Sequence, residues 1–295
     1  MSLDELRTLL DRHARPDTTT AVDGVLISRV DRSDPPAPAA SGTVLAVIAQ
    51  GTKRLMLGDR VFTYGPGEYL VASVDLPVTG QFVGATREHP ALGFGMTLEP
   101  SAIAELLLRA GTATPARAVG GAAPGIAVGY APDALLDAVV RLLRLLDEPR
   151  DRDVLAPLVK QEILWRLISG EQGRAVRQLG LADSGLAHVS RAVRWIREHY
   201  AEPFKVEDLA RLAGMSPSAF YRNFQTVTAM SPIRFQKQIR LQQARLLLAT
   251  HPRDVTSVGH RVGYDSPSQF SREYRRQFGA PPSADAARFQ EARAR

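Results

Sequence analysis

The last third of the chain nearly repeats itself at a spacing of 50 residues. SPSAFYR at 216–222 and SPSQFSR at 266–272 share five of their seven residues. The matches extend outward in the same ungapped register, to Arg211 with Arg261, Leu212 with Val262 and Pro232 with Pro282. Chance composition rarely produces such a repeat, so we expect two copies of one supersecondary unit.

Each copy has the pattern of a helix, a tight turn and a second helix. In the first copy, apolar residues recur three or four positions apart, at Val206, Leu209, Ala210 and Ala213. Gly214 follows, and glycine readily adopts the left-handed backbone conformation that ends many helices. A serine followed by a proline suits the N-cap and first position of a helix, and this pair occurs at 216–217, 231–232 and 266–267.

The second helix of each copy is predicted to have one aromatic face and one polar face. Phe220 and Phe224, and likewise Phe270, Tyr274 and Phe278, recur every four residues and are expected to point inward. The opposite faces carry Ser218, Tyr221, Arg222 and Gln225 in copy one, and Ser268, Gln269, Arg272, Arg275 and Arg276 in copy two. A short helix with an exposed arginine face fits the major groove of double-stranded DNA. The alternative is a solvated helix pair in an ordinary bundle.

Charge separates this region from the rest of the chain. Residues 186–295 contain 18 basic and nine acidic side chains, a net charge of +9, whereas residues 1–185 have a net charge of −3. A compact basic region beside a mildly acidic one is typical of a DNA-binding domain joined to a sensing or assembly domain. We therefore predict a DNA-binding domain at 186–295.

The helix that joins the two copies is predicted over residues 232–248. At 1.5 Å per residue it would span about 25 Å, which suits two recognition helices that lie in successive major grooves. Its apolar residues, including Phe235, Ile239 and Leu246, are expected in the core.

The region from 189 to 289 resembles the tandem helix-turn-helix domain of the AraC/XylS family of bacterial transcription regulators. The resemblance lies in GMSPSAFYRNF, SPIRFQKQIRLQQARLLL and RVGYDSPSQFSREYRRQFG. It implies base contacts by Ser218, Tyr221, Arg222, Ser268, Gln269 and Arg272. The chain departs from the family pattern at Gly259, His260 and Ala280-Pro281. A glycine within a helix costs about 1 kcal/mol relative to alanine, so a softer second unit is expected.

The segment at 43–98 reads as short strands. Six apolar runs, TVLAVIAQ, KRLMLG, RVFTYG, EYLVASV, GQFVG and ALGFGMTL, are separated by turn residues. They predict an antiparallel sandwich or small barrel. The string IAQGTKRLMLGDRVFTYGPGEYLVASVDLPVTG resembles the N-terminal domain of one AraC-type subgroup, which implies a cupin-like barrel that receives an effector or mediates association.

Two helical patterns follow, at 133–148 and 156–170. In the first, Val140 and Leu145 widen the apolar surface beyond one stripe. Such a helix could contact the barrel on one side and a second subunit on the other, giving a homodimer; the alternative is one thick core. The predicted fold is therefore α+β: an N-terminal cupin-like antiparallel β barrel with trailing helices at 1–185, and an all-α domain of two helix-turn-helix units at 186–295.

The sequence predicts neither a metal site nor a cofactor. The barrel segment contains only His89, His13 is distant, and the chain has no cysteine. Ser73, which lies near Asp75, lacks the flanking glycines of a nucleophile elbow. Gly120-Gly121 lacks the lysine that follows the glycines of a phosphate loop. We therefore predict no catalytic residues and no enzyme.

The predicted function is sequence-specific transcription regulation, as an activator or a repressor, under an unidentified small-molecule effector. Double-stranded DNA, RNA polymerase and a second copy of the chain are the candidate partners. No signal peptide and no membrane span are expected, which favours the cytoplasm.

The alternative function is that of a cupin-type enzyme or small-molecule binding protein with an accessory basic domain. It would need convergent polar groups in the barrel, for which the candidates are Gln50, Lys53, Tyr64, Glu68 and Tyr69.

Overall fold

The computed structural model describes residues 2–33, 35–38, 42–111, 122–250 and 254–293. Gly120 and Gly121, considered above for a phosphate loop, lie outside these ranges. In the described part of the chain, no helix combines the length and the apolar character needed to cross a membrane.

Contacts divide the chain into two compact units. The N-terminal unit comprises residues 1–190 with 226–229, and the C-terminal unit comprises residues 191–225 with 230–295. The domain limits 1–185 and 186–295 stay a prediction.

The N-terminal unit contains two antiparallel sheets. The five-stranded sheet has the order β1-β8-β3-β6-β9, with β1 Val25–Val30, β3 Val44–Gln50, β6 Glu68–Ala72, β8 Ala91–Thr97 and β9 Ile126–Tyr130. The four-stranded sheet has the order β2-β7-β4-β5, with β2 Ala37–Pro38, β4 Thr52–Leu57, β5 Arg60–Tyr64 and β7 Thr79–Val83. All six predicted strands are confirmed, but the two sheets form a sandwich that is not closed into a barrel.

Successive side chains of the five-stranded sheet point to opposite faces, and the two faces have different surroundings. Ile27, Leu45, Val47 and Met96 belong to one core cluster together with residues of the helices. Their sequence neighbours Leu26, Ala46, Ile48 and Gly95 line a cavity on the other face. The sheet thus separates the helical core from this cavity.

The described residues of the N-terminal unit include the α-helices α1 Ser2–His13, α2 Pro100–Arg109, α3 Asp133–Arg144, α4 Pro149–Ser169 and α5 Gly173–Gly180, with a short 3₁₀ helix, Leu145–Asp147, between α3 and α4. Helix α4 ends before Gly170, as predicted. Helix α3 contacts both α1 and α4, and Val140 and Leu145 are buried in the same core as the rest of its apolar residues. One core within the chain therefore accounts for the burial of both residues, and contact of this helix with a second subunit stays a prediction.

The remaining helices are α6 Gly185–Glu198, α7 Val206–Leu212, α8 Pro217–Thr228, α9 Pro232–Thr250, α10 Val255–Arg261, α11 Pro267–Phe278 and α12 Pro282–Arg293. The predicted N-caps are confirmed. The hydroxyls of Ser216, Ser231 and Ser266 each accept from the backbone N–H three residues on, at 3.4, 3.3 and 3.3 Å. These caps satisfy orphan donors at the starts of α8, α9 and α11.

The two copies do not superpose in one ungapped register. Helices α8 and α11 begin 50 residues apart, but α7 and α10 begin 49 residues apart, so the second turn is one residue longer. The glycines with positive φ, Gly214 at 67° and Gly263 at 87°, also lie 49 apart. The ungapped pairing of Arg211 with Arg261 and of Leu212 with Val262 is therefore wrong.

Helix α9 differs from its prediction in what it buries. It has 19 residues, which corresponds to about 28 Å. Phe235 and Ile239 are buried as expected, but Leu246 is 55% exposed. The helix instead buries three amides, at Gln236, Gln238 and Gln242. It also buries Leu241, Ala244 and Leu248, so apolar packing and polar contacts together fix its position.

Gly259 lies where α10 crosses α11. A Cβ at this position would stand 3.0 Å from Cδ1 of Phe270, a residue that is itself 1% exposed. In the register of 49, its counterpart in the first copy is the small and fully buried Ala210. This departure from the family pattern therefore permits a close helix crossing.

Replacing Gly259 with Val is expected to destabilise the chain by about 2 kcal/mol, because the added atoms overpack the helix crossing. Urea denaturation of the full chain, followed by circular dichroism, measures this change. The matched control is Thr256→Val, at an exposed position of the same helix, which should stay within about 0.5 kcal/mol of the parent. Equal stabilities of the two variants would contradict the packing role of Gly259.

Candidate functional site

Helix α8 is held by aromatic side chains on one face. Phe220 and Phe224 are fully buried, their ring centroids are 5.4 Å apart, and the Phe224 ring is 5.5 Å from that of Phe235 on α9. The predicted contact residues on the other face, Ser218, Tyr221, Arg222 and Gln225, are all exposed. The helix thus has a fixed side and an accessible polar side.

Helix α11 has the same construction. Phe270 and Tyr274 are buried, and their ring centroids are 5.6 Å apart. The predicted contact residues Ser268, Arg272, Arg275 and Arg276 are exposed, whereas Gln269 is half-buried. Both arginines on which a DNA-reading role depends, Arg222 and Arg272, are therefore accessible.

The half-buried Gln269 belongs to a polar cluster around Glu273. Oε1 of Glu273 accepts from Nζ of Lys237 at 2.8 Å and from Nε2 of Gln269 at 3.2 Å, while Oε2 accepts from the Tyr264 hydroxyl at 2.9 Å. Burial alone would raise the pKa of Glu273, but the hydrogen bonds from Lys237, Gln269 and Tyr264 bring it below its usual value. The carboxylate stays ionised and orients the amide of Gln269.

Sequence reasoning missed Glu273. It is a single acid among the arginines of α11, and nothing in the local pattern distinguishes it from a solvated residue. Its partner Lys237 lies on α9, 36 positions earlier. Only tertiary structure brings the two together.

A second buried acid ties three helices of the C-terminal unit together. Asp285, on α12, accepts from the Tyr274 hydroxyl of α11 at 3.0 Å and forms an ion pair with Arg245 of α9 at 3.3 Å. Because Asp285 is 3% exposed, its charge depends on these partners. The contact fixes the inner side of α11.

Arg240 links the surroundings of both copies. Its guanidinium donates to the carbonyls of Tyr200 at 2.7 Å and Ala201 at 3.1 Å, which precede α7, and to the carbonyl of Gly263 at 2.7 Å, in the turn before α11. The amide of Gln236 also donates to the Tyr200 carbonyl, at 3.1 Å. Helix α9 therefore connects the entrance of the first copy with the turn of the second.

The N-terminal unit contains a cavity of about 220 Å³ between its two sheets. Of the five polar candidates, Lys53 and Tyr64 line this cavity. The other three have local structural contacts: Gln50 donates to the Pro90 carbonyl at 2.7 Å, Glu68 accepts from the Gly65 N–H at 2.7 Å, and Tyr69 belongs to the helical core.

In the ranges that the structure describes, no group of three or more histidine, aspartate or glutamate side chains could hold a metal ion. Ser73, considered above as a nucleophile, is buried, and its hydroxyl donates to the Gly125 carbonyl at 3.4 Å.

Family models match both parts of the chain. The model for the AraC-type transcriptional regulator N-terminus matches residues 21–175. A helix-turn-helix domain model matches residues 209–288, which include α8, α9 and α11.

Among similar proteins, the HTH-type transcriptional regulator ExsA of Pseudomonas aeruginosa is 29% identical over 160 residues, covering 54% of this chain and 57% of the relative. The virulence regulon transcriptional activator VirF of Yersinia enterocolitica is 29% identical over 149 residues, covering 50% of this chain and 55% of the relative. The chain thus spans little more than half the length of these curated relatives.

The fold has a solved counterpart. Wild-type ToxT of Vibrio cholerae, crystallised with an unsaturated fatty acid bound, has a TM-score of 0.53 at 9% identity, over 89% of this chain and 94% of that chain. At this identity the likeness concerns the fold alone.

The match to the family model over residues 21–175 covers more than half of the chain, which shows that the chain belongs to the AraC-type transcriptional regulators.

Proposed function

We propose that the chain is a sequence-specific DNA-binding transcription regulator, with α8 and α11 in successive major-groove segments of one duplex. The observation that carries this proposal is the duplicated construction of the two helices, each fixed by buried aromatics and each exposing arginine. The net charge of +9 on residues 186–295 supports it, because positive charge supplies the sequence-independent part of DNA affinity.

The exposed side chains divide into two roles. Arg222 and Arg272 suit bidentate contacts to guanine, and Gln269, oriented by Glu273, suits a contact to adenine. Ser218, Tyr221, Gln225, Ser268, Arg275 and Arg276 complete the proposed interface, through base edges or phosphates.

The proposed domains are residues 1–185 for effector sensing and association, and residues 186–295 for DNA binding. ToxT has been crystallised with an unsaturated fatty acid, which supports a small-molecule effector for the N-terminal unit of this chain. As an activator the protein would also contact RNA polymerase. The relatives named above are transcription regulators, and we propose a regulator without catalytic activity rather than a cupin-type enzyme.

Association of two copies is best supported at α4. This helix exposes Val154, Leu158 and Trp165 by 68%, 57% and 39%. In an antiparallel pair of α4 helices about a two-fold axis, Val154 would face Trp165 of the second copy. Light scattering of the full chain tests this: Leu158→Glu should give the mass of one chain, while Val61→Glu, at a similarly exposed position on β5, should not change the mass.

Replacing Arg222 with Ala is expected to weaken binding to the preferred DNA site by about 1 to 3 kcal/mol and to flatten the base preference at one position. Fluorescence anisotropy on the preferred site and on its single-base variants measures both effects. Arg261→Ala is the matched control, since Arg261 is exposed on α10, outside the two proposed recognition helices. Uniform weakening on all sequences would instead identify Arg222 as a phosphate contact.

Glu273 and Gln269 are expected to act as one element in base reading. Glu273→Gln and Gln269→Ala should each weaken binding to the preferred site by about 1 kcal/mol, the usual size of one hydrogen bond. Because both changes remove the same oriented amide, the double variant should be little weaker than either single one. Additive losses in the double-mutant cycle would contradict the positioning role of Glu273.

A further inference from the structure

The cavity between the two sheets has a predominantly apolar lining. Its walls include Ile48, Leu55, Leu70, Val78 and Ile126, which come from both sheets and a connecting segment. Its volume of about 220 Å³ equals the liquid volume of roughly seven water molecules. This is smaller than the roughly 300–1,000 Å³ of a pocket for drug-sized ligands, so the space suits a short molecule.

Lys53 brings a charge to this apolar space. In the four-stranded sheet, Lys53 on β4 lies directly opposite Tyr64 on β5 and Phe82 on β7. Paired residues of adjacent antiparallel strands have their side chains on the same face, and all three residues line the cavity. Nζ of Lys53 is 3.9 Å from the centroid of the Phe82 ring, so the aromatic face supports the ammonium group on one side.

Lys53 and Tyr64 are the polar members of this row. Among the residues that the structure describes, neither the Lys53 ammonium nor the Tyr64 hydroxyl makes a hydrogen bond or ion pair, and no acidic side chain lines the cavity. Burial lowers the pKa of Lys53 to about 8 and raises that of Tyr64. At neutral pH both groups therefore carry protons that they can donate.

We propose that this cavity binds a short monocarboxylate with an apolar body, whose two oxygens accept from Lys53 and Tyr64. The inference rests on the proposed effector-sensing role of the N-terminal unit and names the chemical class of the effector. One cation and one hydroxyl match the charge and the two oxygens of a carboxylate. A phosphate dianion would bring a second charge without a partner into an apolar space, which is unfavourable.

A second cavity of the N-terminal unit is a weaker candidate for this ligand. It has a volume of about 420 Å³, and it is lined by residues of both charges, including Glu99, Asp153 and Lys160. Lys160 already donates to the Asp23 carbonyl at 2.9 Å. Lys160 is therefore already hydrogen-bonded within the chain, and it serves as the matched control lysine for Lys53.

Calorimetric titration of the full chain tests the proposal with butanoate, hexanoate, octanoate and hexan-1-ol as probes. We expect hexanoate to bind at least about tenfold more tightly than hexan-1-ol, because only the acid pairs with Lys53. Lys53→Met should weaken hexanoate binding by about tenfold to a hundredfold and leave hexan-1-ol binding unchanged. Lys160→Met should change neither.

Two further variants keep the test decisive if Lys53→Met does not fold. Tyr64→Phe removes only the hydroxyl and should weaken hexanoate binding about fivefold to tenfold. Ala46→Leu fills the cavity from β3 and should abolish binding of acid and alcohol alike. Absence of binding by all three acids, equal binding of acid and alcohol, or loss of binding in Lys160→Met in place of Lys53→Met would overturn the proposal.

Failure of this inference is distinguishable from failure of the regulatory function. DNA affinity is measured separately, by fluorescence anisotropy with and without saturating hexanoate. Selective acid binding that leaves DNA affinity unchanged would support the cavity site and contradict its role in regulation. DNA binding without any acid binding would contradict the cavity site and leave the DNA-binding function standing.

Discussion

The guanidinium of Arg240 is the contact on which the geometry of the C-terminal unit depends. It donates to carbonyls that precede the first helix-turn-helix copy and to a carbonyl in the turn of the second. Each carbonyl is a backbone group that needs a hydrogen-bond partner when water is excluded. One side chain thus satisfies groups from both copies and sets α9 in a defined position between them.

The buried acids Glu273 and Asp285 extend the same principle to α11. Both bind basic side chains of α9, Lys237 and Arg245, and both accept from a buried tyrosine hydroxyl. Removing one member would leave a buried charge without a partner, which is far more costly than the net contribution of the pair. These networks orient the exposed face of α11, while tilted and edge-to-face aromatic contacts do the same for α8.

Local patterns in the sequence were sufficient for the elements that depend on local physics. Serine-proline helix starts, the four-residue aromatic spacing and six short strands follow from capping, periodicity and turn residues, and the structure has all of them. Strands β1 and β9 were missed because they lie outside the closely spaced apolar runs at 43–98 that indicated strands, and each pairs with a distant strand, β8 or β6. Leu246 was predicted in the core but is exposed, and the same helix buries Gln236, Gln238 and Gln242. Amides can be buried where tertiary contacts supply their hydrogen-bond partners, and local sequence patterns do not reveal those contacts. The convergence of Lys53 and Tyr64 likewise depends on strand register, which the sequence leaves open until the pairing is known.

The most direct test of the two-helix account is selection of bound fragments from random DNA with the purified full chain. If α8 and α11 lie in successive major-groove segments of one duplex, the selected sites should contain two preferred blocks whose centres are about 10 to 10.5 base pairs apart. Arg272→Ala should erase the preference in one block and leave the other intact. A single preferred block, or no preference above the random background, would contradict the account.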